Sequence, residues 1–218
     1  MFQDRADAGR RLAQLVAERL VDSPHQPDAA NAVVMGLPRG GVPVAALVAR
    51  GLGVPLDVLV VRKIGVPWQP ELAMGAVGEN GVVVLNDRVV SASGVGPVEL
   101  DALIRRAARE VEEVVAELRP VGDALDVIDR MVIVVDDGVA TGATARAAAD
   151  VLRRRGSGQV ILATATAPPS TCASLRATFA DVICLEQPWD FGSVGEHYEH
   201  FEQVTVGEVR WLLSGAMG

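Results

Sequence analysis

Aromatic side chains make up only 4 % of this sequence, which excludes a core filled by rings; the interior must be built from Val, Leu, Ile and Ala. Cysteine is almost missing too. Cys172 and Cys184 are the only two in 218 residues, too few for a disulfide framework, and neither stands near another Cys or a His at zinc-ligand spacing. They read as reduced, buried thiols of a cytoplasmic protein. Positive charge is in deficit. A net charge of −8 excludes the broad basic footprint of a nucleic-acid binder, although it leaves room for a local basic pocket around a phosphate. No apolar run reaches the length of a membrane span. The opening Met1-Phe2-Gln3-Asp4-Arg5 lacks the apolar stretch of a signal peptide, so neither a leader nor a membrane partner is expected. There is no Gly-Lys-Ser or Gly-Lys-Thr, which excludes a P-loop, and no G-x-G-x-x-G follows a strand-like run, which excludes a dinucleotide fingerprint.

What is present is an alternation of short apolar runs with helical stripes. Ala8, Leu12, Leu15, Val16 and Leu20 predict a helix over 4–20, followed by a loop from Ser23-Pro24 to Asp28. Residues 32–35 read as a strand, 42–50 as a helix and 57–61 as a second strand ending at Arg62-Lys63. The Pro- and Gly-rich stretch from Ile64 to Met74 reads as a mobile loop. A hairpin follows, pairing 73–77 with 82–85. A long amphipathic helix is predicted over 98–118, ended by Pro120, with its charged face either solvated or a homodimer surface. Strands over 131–135, 159–165 and 181–185 then alternate with helices over 143–155 and 171–179. This rhythm predicts the α/β class: one domain over 1–218, with a mainly parallel central sheet flanked by helices and its core at about 32–185. Ligands of such sheets lie at the carboxyl ends of the strands.

The most informative segment is Val132-Ile133-Val134-Val135-Asp136-Asp137-Gly138-Val139-Ala140-Thr141-Gly142-Ala143-Thr144. A buried strand delivers two carboxylates, and a loop of small residues then opens a helix. Free amides at a helix start suit a monophosphate, Thr141 and Thr144 add hydroxyls, and Gly142 permits close approach. Two carboxylates would repel that phosphate, so a ribose diol is their natural partner. One Asp could be an ordinary N-cap; two acids and two threonines around a glycine exceed what a cap needs.

This segment resembles the signature of the type I phosphoribosyltransferases. The resemblance implies their fold with a small hood, ribose binding by Asp136 and Asp137, and 5′-phosphate binding by Ala140, Thr141, Gly142, Ala143 and Thr144. Gly138 stands where a bulkier apolar residue is usual, and Ala140 where Thr or Ser is frequent. Pro38-Arg39-Gly40-Gly41 resembles the family's pyrophosphate loop, which often holds a non-proline cis peptide; the equivalent bond is Pro38–Arg39.

Arg39, Arg62 and Lys63 are read as a cationic clamp on the pyrophosphate. The loop at 64–74, with Trp68, Gln69 and Glu71, resembles in position the family's flexible loop. The C-terminal stretch 186–203 resembles a hood, in which Trp189 or Phe191 would stack on an acceptor base; a satellite core of aromatics is the other reading. His197 and His200 are three apart, one short of the zinc-helix spacing, so no protein metal site is expected. The expected activity is transfer of the phosphoribosyl group from phosphoribosyl pyrophosphate to a nitrogen acceptor such as a purine-like base. Pyrophosphate is released, magnesium is held mainly through the substrate, Lys63 acts on the leaving group and Asp137 in proton transfer. A regulatory protein that binds the same ligand without transfer is the alternative, and a hydrolase using water a third.

Overall fold

The computed structural model describes residues 1–21, 31–119 and 122–215; the loop expected from Ser23 and the helix-ending Pro120 lie outside them. The elements run α1 (Arg5–Val21), β1 (Ala32–Gly36), α2 (Gly41–Leu52), β2 (Leu56–Val58), β3 (Val61–Val66), β4 (Gln69–Gly78), β5 (Val83–Leu85), α3 (Asp87–Ser93) and α4 (Pro97–Leu118). They continue as β6 (Met131–Asp136), α5 (Ala143–Arg154), β7 (Val160–Thr166), α6 (Pro169–Leu175), β8 (Asp181–Glu186) and α7 (Val206–Leu213).

Five strands form a parallel sheet in the order β2-β1-β6-β7-β8, and three form a small antiparallel hood sheet, β3-β4-β5. The central strands β1, β6 and β7 are apolar on both faces because helices cover both. Alternate residues face opposite sides. Val33, Met35, Val132, Val134 and Leu162 pack toward α5, while Val34, Ile133, Val135 and Ile161 pack toward α1 and α2. Each such fully buried aliphatic side chain stabilises the fold by about 1.5–3 kcal/mol. α1 completes the second layer with the expected stripe, Ala8, Leu12, Val16 and Leu20.

Two expectations change between residues 57 and 74. The apolar run after Leu56 is two strands rather than one. β2 ends at Val58, and the chain leaves the parallel sheet where a buried ion cluster holds it. Arg119 bonds Asp57 Oδ1 at 2.8 Å and Glu79 Oε2 at 2.8 Å, and Glu79 Oε1 accepts the Val60 amide at 3.1 Å. Arg62 and Lys63 therefore lie within β3 of the hood sheet, not at the end of a core strand. Residues 64–74 are likewise the arms of a hairpin, closing at Pro67-Trp68 with Val66 opposite Gln69. A ribbon tolerates Pro70 and Gly65 there because its register shifts around Gly65 and this part of β4 has no β5 partner. The hairpin of β4 and β5 forms as expected, with Val77 opposite Val83. α3 and α7 were not anticipated.

Candidate active site at the switch point

The chain runs from β1 outward to β2 on one side and from β6 to β7 and β8 on the other. The strand order thus reverses between β1 and β6, and a crevice opens outside their carboxyl ends. Gly36 and Val135 are register partners there, so the two motifs singled out by the sequence emerge side by side.

The loop after β1 carries a cis peptide between Pro38 and Arg39, at the bond expected. Gly40 and Gly41 press against the strand end carrying the acids. A Cβ at Gly40 would collide with the Asp137 carboxylate, and one at Gly41 would lie 2.6 Å from the Val135 carbonyl and 2.9 Å from Asp136 Cα. Only glycines let the two loops meet. Arg39 is half-buried beside them.

β6 delivers Asp136 half-buried and Asp137 buried. Asp136 Oδ1 accepts the Asp137 amide at 3.0 Å. Burial, and the negative Asp137 beside it, push the Asp136 carboxyl well above the usual carboxylate range, with Arg5 acting the other way. Asp137 Oδ2 accepts from Arg5 Nε at 2.7 Å, in a pair whose side chains are 13 % and 11 % exposed. The hydroxyl of Tyr198 donates to the Asp137 carbonyl at 2.6 Å. Burial and the neighbouring Asp137 raise the Tyr198 phenol, keeping it a donor.

The loop that follows β6 is held by side chains of the next two helices. Thr171 Oγ1 donates to the Ala140 carbonyl at 2.7 Å and Arg146 Nη2 to the Thr141 carbonyl at 2.6 Å, which turns both carbonyls back toward α6 and α5. Among the described residues the amides of Ala140, Thr141, Gly142, Thr144 and Ala145 donate to no protein acceptor. Gly142 takes the left-handed conformation at φ 74°, and α5 aims its N-terminal dipole into the same space. Thr141 and Thr144 are exposed there. Gly138 has a local explanation as well: Val194, from the C-terminal segment, fills the space its missing side chain would occupy.

The remaining candidates make their contacts elsewhere, and Lys63 lines a groove with Leu103, Arg106 and Glu110 of α4. Arg62 pairs with Glu110 of α4 at 3.7 Å, and Lys63, the one lysine of the chain, with Glu71 at 3.2 Å. Glu71 belongs to the arm of β4 that borders a cleft of about 360 Å³ beside α5, with Leu72, Gly75, Asn86, Ala143 and Arg146. The aromatic C-terminal segment divides between its two readings. Tyr198 packs with Phe2 and Phe201, at ring-centroid distances of 5.2 and 4.9 Å, as a satellite core. Phe191 stacks on His197 at 4.9 Å, whereas Trp189 is 91 % exposed. Arg5, Arg146 and Thr171 were missed by the sequence reading. Nothing local marks them, since Arg5 and Asp137 are 132 positions apart.

Comparison with known proteins agrees with this fold. The family model described as "Phosphoribosyl transferase domain" matches residues 3–200. A Mycobacterium tuberculosis protein (strain ATCC 25618 / H37Rv), provisionally named as a phosphoribosyl transferase, Rv0571c, is 46 % identical over 216 residues. That match covers 99 % of this chain and 47 % of the relative, so the chain spans about half the relative's length. The crystal structure of TT1426 from Thermus thermophilus superposes with a TM-score of 0.86 at 39 % identity, covering 100 % of this chain and 99 % of that one. AQ2163 from Aquifex aeolicus shares the fold at 12 % identity, with a TM-score of 0.51 and coverage of 96 % of this chain and 84 % of that one. No helix among the described residues is long and apolar enough to cross a membrane. The chain belongs to the phosphoribosyl transferase domain family.

Proposed function

We propose that this protein binds phosphoribosyl pyrophosphate with magnesium and transfers the phosphoribosyl group to a planar nitrogen acceptor, releasing pyrophosphate. The observation that supports this most is that the amides of Ala140, Thr141, Gly142, Thr144 and Ala145 donate to no protein acceptor among the described residues, next to two acids at the switch point. In this reading the 5′-phosphate rests on those amides and on the Thr141 and Thr144 hydroxyls, and the ribose hydroxyls face Asp136 and Asp137. Gly40 and Gly41 bring backbone close to the pyrophosphate, and Arg39, Arg62 and Lys63 supply its counter-charge. The pairs that Arg62 and Lys63 now make are partly exposed and weak, so a more highly charged diphosphate can displace Glu110 and Glu71.

Magnesium keeps most of its waters and binds through substrate phosphates, and the two carboxylates at the end of β6 suit it as acceptors for those waters. Asp136 and Asp137 would hold the hydrated ion beside the substrate. When bound, magnesium neutralises charge on the departing pyrophosphate. The chain's own residues orient the ribose, hold the leaving group and exclude water while the bond at C1 breaks with oxocarbenium-like charge. In this reading the acceptor's proton passes to Asp137, whose Oδ1 accepts no protein hydrogen bond among the described residues. Trp189 has a free face for a purine-like base, while Phe191 already covers His197.

The test is calorimetric titration with phosphoribosyl pyrophosphate and magnesium, followed by an acceptor screen for pyrophosphate release. Saturation at a hundredfold excess over Kd raises folding stability by about 2.7 kcal/mol, which thermal melts read directly. No binding of this ligand or of ribose 5-phosphate refutes the assignment. Tight binding with no release for any acceptor makes this a regulatory binding protein, and release with water alone makes it a hydrolase.

A further inference from the structure

The guanidinium of Arg5 joins parts of the chain that are far apart in sequence. Its Nε donates to Asp137 Oδ2 at 2.7 Å, its Nη1 donates to the Glu202 carbonyl at 2.7 Å, and its plane lies 3.8 Å from the centroid of the Phe201 ring. The C-terminal segment reaches the same acid a second time through the Tyr198 hydroxyl. It is also laced to the segment preceding α1. The Phe2 amide donates to the His197 carbonyl at 2.8 Å, the Glu199 amide to the Phe2 carbonyl at 2.9 Å and the His200 amide to the Gln3 carbonyl at 2.9 Å.

Asp137 is thus held on three sides: its amide by Asp136, its carbonyl by Tyr198 and one carboxylate oxygen by Arg5. Among the described residues the other oxygen, Oδ1, accepts no hydrogen bond, and it is the oxygen left for a ligand hydroxyl. A planar guanidinium can bond an acid, bond a carbonyl and stack on a ring at once; an ammonium cannot.

We infer that Arg5 is a positioning residue that couples the order of the C-terminal segment to the setting of the ribose-binding acid. When residues 198–202 are seated, Arg5 turns Asp137 Oδ1 toward the ribose; when ribose occupies the acid, the segment is held down. The inference rests on the reading of Asp136 and Asp137 as the ribose site. It differs from a purely structural ion pair in its consequences. Loss of Arg5 should affect ligands that carry a ribose and spare those that are only a phosphate.

The experiment uses the full chain and two probes, ribose 5-phosphate and orthophosphate, with variants Arg5→Gln, Arg5→Lys and Phe201→Leu. Arg5→Gln should lose about tenfold or more in ribose 5-phosphate affinity, as removal of a charged hydrogen bond implies, with orthophosphate affinity changed by less than about twofold. Arg5→Lys should recover part of the loss, and Phe201→Leu should show a smaller loss of the same selectivity. Hydrogen exchange at 198–202 should slow when the parent binds ribose 5-phosphate, and the slowing should vanish in Arg5→Gln. Unchanged affinity in Arg5→Gln, equal loss for both probes, or exchange indifferent to ligand overturns the inference. If Arg5→Gln does not fold, Arg5→Lys and Phe201→Leu carry the same comparison. A parent that binds orthophosphate but not ribose 5-phosphate overturns the ribose site itself, a result separable from failure of the Arg5 role.

Discussion

Consider Gly40→Ala. The backbone of Gly40 lies at φ −63°, ψ −34°, where alanine is at ease, so conformation alone predicts a gain of about 0.4–1 kcal/mol from a less flexible unfolded chain. Space predicts the opposite. The new methyl would stand 2.8 Å from Asp137 Cγ and closer still to Oδ2. Asp137 has little freedom to move, because Arg5 holds Oδ2 at 2.7 Å and Tyr198 holds the carbonyl at 2.6 Å. Overpacking of this kind costs about 1–3 kcal/mol. If the carboxylate is instead forced off Arg5, the broken buried pair costs about 3–5 kcal/mol. With that gain subtracted, net destabilisation should be about 0–2.6 kcal/mol from overpacking alone and about 2–4.6 kcal/mol if the pair breaks, a fall of up to roughly 10 °C or of about 4–18 °C in Tm at about 2–4 °C per kcal/mol for a chain of this size. Gly207→Ala is the control. It lies in α7 with nothing nearer its added Cβ than 4.0 Å, and it should stabilise by about 0.5–1 kcal/mol. Denaturant titration of both variants, with ribose 5-phosphate titration of the first, decides the matter. A Gly40→Ala protein as stable as its parent, with unchanged ribose 5-phosphate affinity, would refute the packing argument.

Gly138→Ala should destabilise by about 1–3 kcal/mol because its Cβ meets Val194, and adding Val194→Ala should restore part of the loss; denaturation free energies that simply add would sink this account. The two acids should respond oppositely to Asn. The folded Asp136 carboxyl is raised above its ordinary 3.8, so its contribution to stability is fully present below that pH and is lost as pH rises through the folded value. Asp136→Asn should therefore melt higher than the parent at neutral pH and match it near pH ~3, while binding less ribose 5-phosphate. Asp137→Asn leaves Arg5 unpaired and should destabilise by roughly 3 kcal/mol, the low end for a buried pair because 13 % and 11 % of the side chains remain exposed. Melts across pH check both signs. Arg119→Met removes the partner of Asp57 and Glu79, whose side chains are 7 % and 2 % exposed, and should cost about 3–5 kcal/mol without changing ribose 5-phosphate affinity per folded molecule. Loss of affinity there would show that the cluster reaches the site.

The class of fold and the placing of the Asp136–Thr144 segment at a strand end were legible in the sequence, because both rest on local order. Four consecutive apolar residues in Val132–Val135 can only be buried on both faces. The acids that follow them are then carried to a strand end, and Thr141-Gly142 opens a helix whichever neighbours surround it. Two helices were legible in principle. Asn86 caps α3 by accepting the Val89 amide, and Thr205 with Glu208 begins α7 as a capping pair, but both are short and follow no strong stripe. Tertiary structure decided what depends on partners distant along the chain. Apolar character cannot say to which sheet a residue belongs, so only the Asp57–Arg119–Glu79 cluster shows that the chain leaves one sheet and enters another before Arg62. Proline and glycine content cannot tell a loop from a bulged ribbon, because unpaired edges admit both. The setting of Asp137 was hidden for the same reason. Arg5, Tyr198 and Gly40 share no spacing with it, and they become its neighbours only when α1, the loop after β1 and the C-terminal segment close over the end of β6.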